Sequence, residues 1–452
     1  MSPEVGGSSD PNPDPMAALR RRTTTVLVIG QILGGFGVAI GVALAALLAA
    51  EVSGSAGAAG LAVTASVTGA AVISLPLAAL MTRYGRRPGL TSGYLIGAGG
   101  GLIVVVSATG GWFVPLLMGM LLFGAGSSAN LQARFAAADL APANRRGRAI
   151  ASVMWAGTLG AVLGPNLAAP AGRAVGALDG RIPDTAGPFL WASGIFLLAA
   201  ATTHLLLRPD PLLTARSLAA GDGAETGAEP PPPHPGRGDR GTAAPGDLPA
   251  KTAVHRKRAL REGWEAVVSS PTARTALAGV AVVHTAMISI MVMTPVHLSH
   301  HGAGIELIGL VISGHIAGMY AFSPVMGRLA DRLGALPLLW GALGTVAVAA
   351  ALAGSAEGRH AQSAIALFVL GLGWSAGLVA GSTLVTESVP VGVRPAAQGL
   401  SDLTMNGCAA LGGAVAGPIV FLAGYGTLNA VAAALLLPVA ALALWTASRR
   451  TG

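Results

Sequence analysis

Residues 284–334 read HTAMISIMVMTPVHLSHHGAGIELIGLVISGHIAGMYAFSPVMGRLADRLG. Two hydrophobic passages, near 272–297 and 305–330, meet here across a short loop that carries His297, His300 and His301. The second passage ends on Gly327-Arg-Leu-Ala-Asp331-Arg332-x-Gly334. A helix needs about 20 apolar residues to cross a hydrocarbon core about 30 Å thick, and both passages exceed that. Five of the nine histidines lie between His284 and His315, and five of the twelve methionines between Met287 and Met326. Elsewhere the chain is mostly alanine, glycine, leucine and valine, so its chemistry is concentrated here.

The composition extends this reading to the whole chain. Of 452 residues only 11% are charged and 52% are hydrophobic, with mean hydropathy +0.65. A water-soluble chain carries about a quarter charged residues. Long apolar runs with few charges indicate a polytopic helical membrane protein, because backbone groups in lipid must be bonded within their own helix. Many of the 65 glycines sit inside those runs, where small residues let membrane helices approach closely. The net charge of +8 does not point to nucleic acid, since the arginines and lysines cluster between apolar runs and not along one face. A single cysteine, Cys408, excludes an internal disulfide framework.

Taken in order, residues 1–22 form a polar tail, expected to be disordered and cytoplasmic, that closes on Arg20, Arg21 and Arg22. The first apolar run is too long for a signal-peptide core and is read as a retained helix. Six passages fill 23–207, near 24–50, 56–82, 89–110, 112–138, 147–171 and 186–207. Residues 208–270 form a cytoplasmic linker, rich in proline and glycine and then basic. Its end, 251–268, reads either as a basic helix lying on the membrane surface or as solvated linker. Six further passages fill 271–448, near 272–297, 305–330, 335–355, 361–387, 396–424 and 426–447, and 449–452 form a second cytoplasmic tail. With both termini inside, 24 of the 28 lysines and arginines fall on the inner side, as the positive-inside rule requires of a cell-membrane protein.

The two sets of six repeat one another. TRYGRRPGL at 82–90 corresponds to DRLGALPLL at 331–339. Asp139-Leu-Ala-Pro142 with Arg146 corresponds to Glu387-Ser-Val-Pro390 with Arg394, and Gly160-x3-Gly164-Pro165 to Gly413-x3-Gly417-Pro418. Three motifs in one order at nearly one offset imply duplication. Duplicated bundles of this kind are secondary transporters with the solute site near the midplane between the halves. No nucleotide-binding loop is present, so a gradient and not ATP supplies the energy.

The loop motifs carry a resemblance to the major facilitator superfamily over essentially the whole chain. The family's loop signature is kept in its C-terminal copy by Gly327, Leu329, Ala330, Asp331, Arg332 and Gly334. The N-terminal copy keeps Arg83, Gly85, Arg86 and Arg87, but Thr82 stands where the family has an aspartate. The resemblance implies an all-α fold of twelve transmembrane helices in two pseudo-symmetric six-helix halves. The signature loops act there as breakable cytoplasmic latches. Without its own acid, the N-terminal latch either borrows one from elsewhere or is weaker.

Ionisable residues at membrane depth are costly and are candidates for function. In the fourth passage these are Arg134 and Asp139, beside Asn130 and Gln132. Arg134 lies about 7 Å from Asp139 along a helix, and it reads either as a structural contact or, by the resemblance, as part of proton coupling. Asp402 and Glu387 are the other protonatable candidates, for gating, capping or proton transfer near the inner face. Gly157, Gly160, Gly164 and Pro165 resemble the glycine-proline motif of the superfamily's antiporters and suit a closely packed helix.

His284, Met287 and Met291 are spaced i, i+3, i+7 on the seventh passage, and His315 and Met319 i, i+4 on the eighth. Each set shares a helix face, and Met287 and His315 fall about 15 Å below the outer surface, near the midplane. Thioether and imidazole suit Cu(I) among soft metals. His297, His300 and His301 stand at the outer mouth, where they would collect metal. The Met-x3-Met and His-x3-Met pairs resemble those of the CcoA-like copper importers, which implies copper ligation by Met287, Met291, His315 and Met319; related members of that branch are linked to riboflavin uptake. The plain alternative is that the methionines fill space in a transporter of some organic solute.

The expectation is therefore a transporter and not an enzyme, without a resident cofactor. Its partners are the bilayer, a small solute or metal ion and a proton gradient, without nucleic acid or ATP. Copper uptake leads, followed by proton-coupled export of drug-like compounds and riboflavin-like uptake. A membrane sensor on the same fold would bind solute without net flux.

Overall fold

The computed structural model describes residues 15–54, 59–178, 182–225, 261–303 and 305–451. Among them there is no strand. The first half comprises α1 (Pro15–Ser53), α2 (Ala59–Tyr84), α3 (Arg86–Thr109), α4 (Phe113–Asp139), α5 (Arg146–Leu178) and α6 (Gly187–Leu206). A further helix, α7 (Pro211–Glu225), follows directly. The second half comprises α8 (Pro271–His300), α9 (Ile305–Tyr320), α10 (Ser323–Leu333), α11 (Ala335–Gly354), α12 (His360–Ser388), α13 (Arg394–Ala434) and α14 (Leu436–Thr451).

Among the described residues ten helical stretches are long and apolar enough to cross a bilayer. The last, Arg394–Thr446, has 53 residues. At 1.5 Å per residue that is about 80 Å, far more than one bilayer. It is broken at Gly424, whose φ of 84° and ψ of 167° no helix tolerates, and it holds two passes. With α5, 33 residues long, the total reaches twelve.

The duplication is visible in the packing. In the first half α3 lies on α4, α1 on α5 and α2 on α4; in the second α11 lies on α12, α8 on α13 and α9 on α12. The signature glycines repeat too. Gly85 ends α2 with φ 95° and Gly334 ends α10 with φ 93°, backbone angles that strain any residue with a Cβ. Each half has its own apolar core, built in the first around Phe123, Phe189 and Phe196 and in the second around Leu339, Val346 and Leu367.

Several boundaries differ from the sequence reading. Residues 15–22, assigned to the tail, begin α1, and Arg20 donates to the Leu140 carbonyl at 2.9 Å. Residues 1–14 lie outside the described residues. The linker opens with a helix, α7, because the run Pro211-Leu-Leu-Thr-Ala-Arg216 has a proline suited to a first turn and an apolar face to bury. Of the stretch 251–268, only 261–268 is described. It is helical through 269 and packs on the second half, with Val267 buried and Gly263 against Ala396. The eighth pass is split between α9 and α10 by a turn at Ala321–Phe322, ahead of Pro324.

The halves meet where α2 packs on α13 and α10 on α5. Both seams run to the end of the molecule that carries the signature loops.

Candidate functional site

The two signature loops solve one problem in two ways. At the second, Asp331 reaches across to the first half. Its carboxylate accepts from the Gly147 and Arg148 amides at 2.9 and 3.2 Å and from Arg148 Nε at 2.7 Å. The acid thus caps the N-terminus of α5, where the helix leaves amides unpaired and its dipole favours negative charge. Such closeness needs Gly147 and Gly327, since a Cβ on either would fall 2.8 Å from the other's carbonyl oxygen.

At the first loop Thr82 turns its hydroxyl back to the Ala78 carbonyl. Two residues near α7 take over. Asp210 accepts from the Arg87 amide at 2.7 Å, and so supplies an acid to the first loop from outside it. Arg216 donates to Thr82 O at 2.8 Å and to Gly392 O of the second half at 2.6 Å. The link between halves is therefore made by a cation and not by a carboxylate. Burial and the nearby Arg86 charge hold the Arg216 guanidinium below its ordinary range.

Deeper in, a buried polar network runs between the halves. Arg86 forms a bidentate pair with Asp139, at 2.7 and 3.2 Å, with neither side chain exposed. It also donates to Gln132 and to Gln398 of the second half. Gln132 donates to Asp402 Oδ2 at 2.8 Å. Arg134 donates to Asp402 Oδ1 at 2.6 Å and to Ser382 at 3.0 Å, the Arg134 and Asp402 side chains being 2% and 1% exposed. The candidates Arg134, Asp139 and Asp402 thus enter one network, but Arg134 pairs with Asp402 and not with Asp139. Glu387 is exposed at the end of α12, within the electrostatic reach of Arg394.

The second half hangs its polar groups on α12. The His315 imidazole is wholly buried, and its Nδ1–H donates to the Leu367 carbonyl at 2.8 Å. Its Nε2 then keeps a lone pair, buried without a partner. His284 takes the other tautomer: Trp374 Nε1–H donates to its Nδ1 at 2.7 Å, which leaves the proton on Nε2. Both histidines therefore turn to α12. His315 has the tautomer of a metal ligand, and His284 does not. Met287 and Met319 are buried in the apolar core of this half, and Met291 is packed against it.

Trp374 was missed by spacing rules. Its ring lies 6.1 Å from His284 and 5.5 Å, edge-on, from Tyr320. Tyr320 and Gln31 of the first half flank Gly157, about 3.6 and 3.4 Å from where a Cβ would stand. Rings of the second half thus face amide chemistry of the first across a side-chain-free patch of α5. With aromatic residues at 4% of the chain, a tryptophan inside Gly371-Leu-Gly-Trp374 was the available signal.

At the opposite end His297 stacks on Tyr425 at 4.2 Å and lies 4.4 Å from His301. Among the described residues no group of three or more His, Cys, Asp or Glu side chains is placed to hold a metal. Gly160, in the glycine-proline stretch of α5, packs closely on α1, for a Cβ there would meet the backbone of Gly35 at 2.6 Å.

The family model described as Major Facilitator Superfamily matches residues 27–306 and 276–451. The "Uncharacterized MFS-type transporter YdeG" of Bacillus subtilis is 35% identical over 439 residues, 97% of this chain and 95% of that protein. The "Riboflavin transporter RfnT" of Brucella anthropi is 28% identical over 436 residues, 95% of each chain. Among solved structures, the human organic anion transporter MFSD10 superposes with a TM-score of 0.67 at 17% identity, covering 94% of this chain and 99% of that one. At that identity the likeness speaks for the fold.

Proposed function

The chain belongs to the Major Facilitator Superfamily, and from that premise we propose a multi-pass transporter that takes up a planar heteroaromatic solute of the flavin type by alternating access. Secondary transport of a small solute follows from the family; the solute class is our inference. The observation that carries it is the ring cluster of His284, Trp374 and Tyr320 at the boundary between the halves. Offset or edge-on ring contacts favour a flat aromatic partner. The tautomer of His284 leaves Nε2–H to donate to a carbonyl or ring nitrogen of that solute. A riboflavin transporter among the relatives supports the same class.

The arginine-rich end would face the cytoplasm. The halves are joined there by Asp331, Arg216 and the Arg134–Asp402 pair, so the described state is closed inward. Opening must part Arg134 from Asp402. A proton on Asp402 removes one of the two charges and makes that separation affordable, which is how we infer that a proton gradient drives uptake.

The test is counterflow of labelled riboflavin in vesicles carrying the purified protein, with and without Trp374→Ala. Exchange that falls in the variant supports the reading; absence of exchange in the parent protein overturns it. A second reading, copper uptake, is favoured by one observation: the buried, unpartnered Nε2 of His315 one helical turn from Met319. Copper accumulation that is equal in Met287→Ala, His315→Ala and the parent would remove it.

A further inference from the structure

Gln31 is a buried polar group that the inward seal leaves unused. It sits on α1 with 7% of its surface exposed, and its Oε1 is buried without a hydrogen-bond partner. The two other buried glutamines use both ends of their carboxamides. Gln132 accepts from Arg86 and donates to Asp402, and Gln398 accepts from Arg86 and donates to Thr386. Tyr94, whose hydroxyl reaches α1 one residue away, turns it to the Gly30 carbonyl at 3.3 Å. Buried acceptors are almost always satisfied, so the open Oε1 of Gln31 asks for a donor from outside the chain.

Its place in the fold says what that donor belongs to. A Cβ on Gly157 would stand 3.4 Å from Gln31 Nε2 and 3.6 Å from the Tyr320 ring, so the two side chains border one side-chain-free point of α5. Tyr320 meets Trp374 edge-on at 5.5 Å, and Trp374 donates to His284. The open carboxamide of the first half therefore stands beside the rings of the second.

We propose that Gln31 is a specificity-determining residue that reads one edge of the solute, a ring N–H beside a ring carbonyl, as in a cyclic amide or imide. Its Oε1 accepts from the ring N–H and its Nε2 donates to the neighbouring carbonyl, a carboxamide offering both in one plane. The rings of the second half hold the solute's face. This rests on the flavin-type reading above and narrows it, because a flat solute without that edge leaves the buried carboxamide unpaired and is refused. With its face on one half and its edge on the other, the bound solute joins the two halves.

The experiment is counterflow of labelled riboflavin in vesicles carrying the full chain, with unlabelled riboflavin or 3-methylriboflavin as competitor. In the second compound a methyl group replaces the imide hydrogen. The parent should need about tenfold more of the methylated compound for equal competition. Gln31→Leu, similar in size, should weaken riboflavin by about the same factor and compete equally with both compounds. Gly157→Ala adds a methyl at ordinary contact distance from Gln31 and Tyr320, so it should fold, and it should weaken riboflavin by filling the gap. A parent that does not exchange riboflavin overturns the flavin-type reading and this assignment together. A parent that exchanges riboflavin but accepts the methylated compound equally overturns the assignment alone. So does a Gln31→Leu variant that still discriminates, or a Gly157→Ala variant that exchanges as the parent does.

Discussion

Two arginine–aspartate pairs lie a few residues apart in the sequence of α4 and share nearly the same chemistry. Arg86–Asp139 is fully buried and joins α3 to α4 within the first half. Arg134–Asp402 is equally buried and joins α4 to α13 across the halves. The first pair travels inside one rigid body and never has to separate. In the alternating-access cycle we propose, the second lies on the surface along which the halves part, and the motion must break it each cycle. Equal burial therefore does not mean equal duty: one pair fixes a fold, and the other sets a barrier between two states.

The comparison breaks if the pairs respond alike. Asp139→Ala should have the largest effect, because it strands Arg86 in the interior. We expect a loss of about 3–5 kcal/mol, seen as a collapse of the thermal midpoint or of folded yield. Asp402→Asn should leave the protein folded and change its energetics. With a pH step of one unit a coupled proton is worth about 1.4 kcal/mol, or tenfold accumulation. The variant should accumulate nothing on that step while still exchanging solute in counterflow. If accumulation survives, Asp402 does not carry the proton.

Smaller effects sharpen the picture at the surface. Asp331→Ala removes a helix cap together with an ion pair whose arginine is half exposed, and should cost about 1 kcal/mol. Its signature is a modest fall in midpoint, with faster labelling of a cysteine placed beside Gly327. Arg261→Ala breaks an ion pair with Glu265 that lies in solvent, and no change in midpoint or transport should be measurable.

The sequence shows the fold almost entirely, because lipid imposes its rules on every residue of a span. Run lengths, the arginine clusters and the repeat of Gly85 in Gly334 needed no tertiary information. The candidate site was legible residue by residue but not pair by pair. Arg134 was weighed against Asp139, five positions away, whereas its partner is Asp402, 268 positions away. Helical spacing relates neighbours on one helix and says nothing about which helix lies opposite. The same limit hides Arg216, which the sequence reading places in a cytoplasmic linker, and Trp374, whose meaning depends on His284 and Tyr320. The histidines stand out in the sequence, but their tautomers depend on what α12 offers to each.

That dependence on α12 has a mechanical side. Leu367, Trp374 and Ser382 hold His315, His284 and Arg134 in succession, at intervals of about 10 and 12 Å along one helix. A shaft with three followers cannot turn or slide under one of them alone. Any ligand that shifts the ring of Trp374 therefore tugs at the Ser382 end as well, where the gate between the halves is bolted.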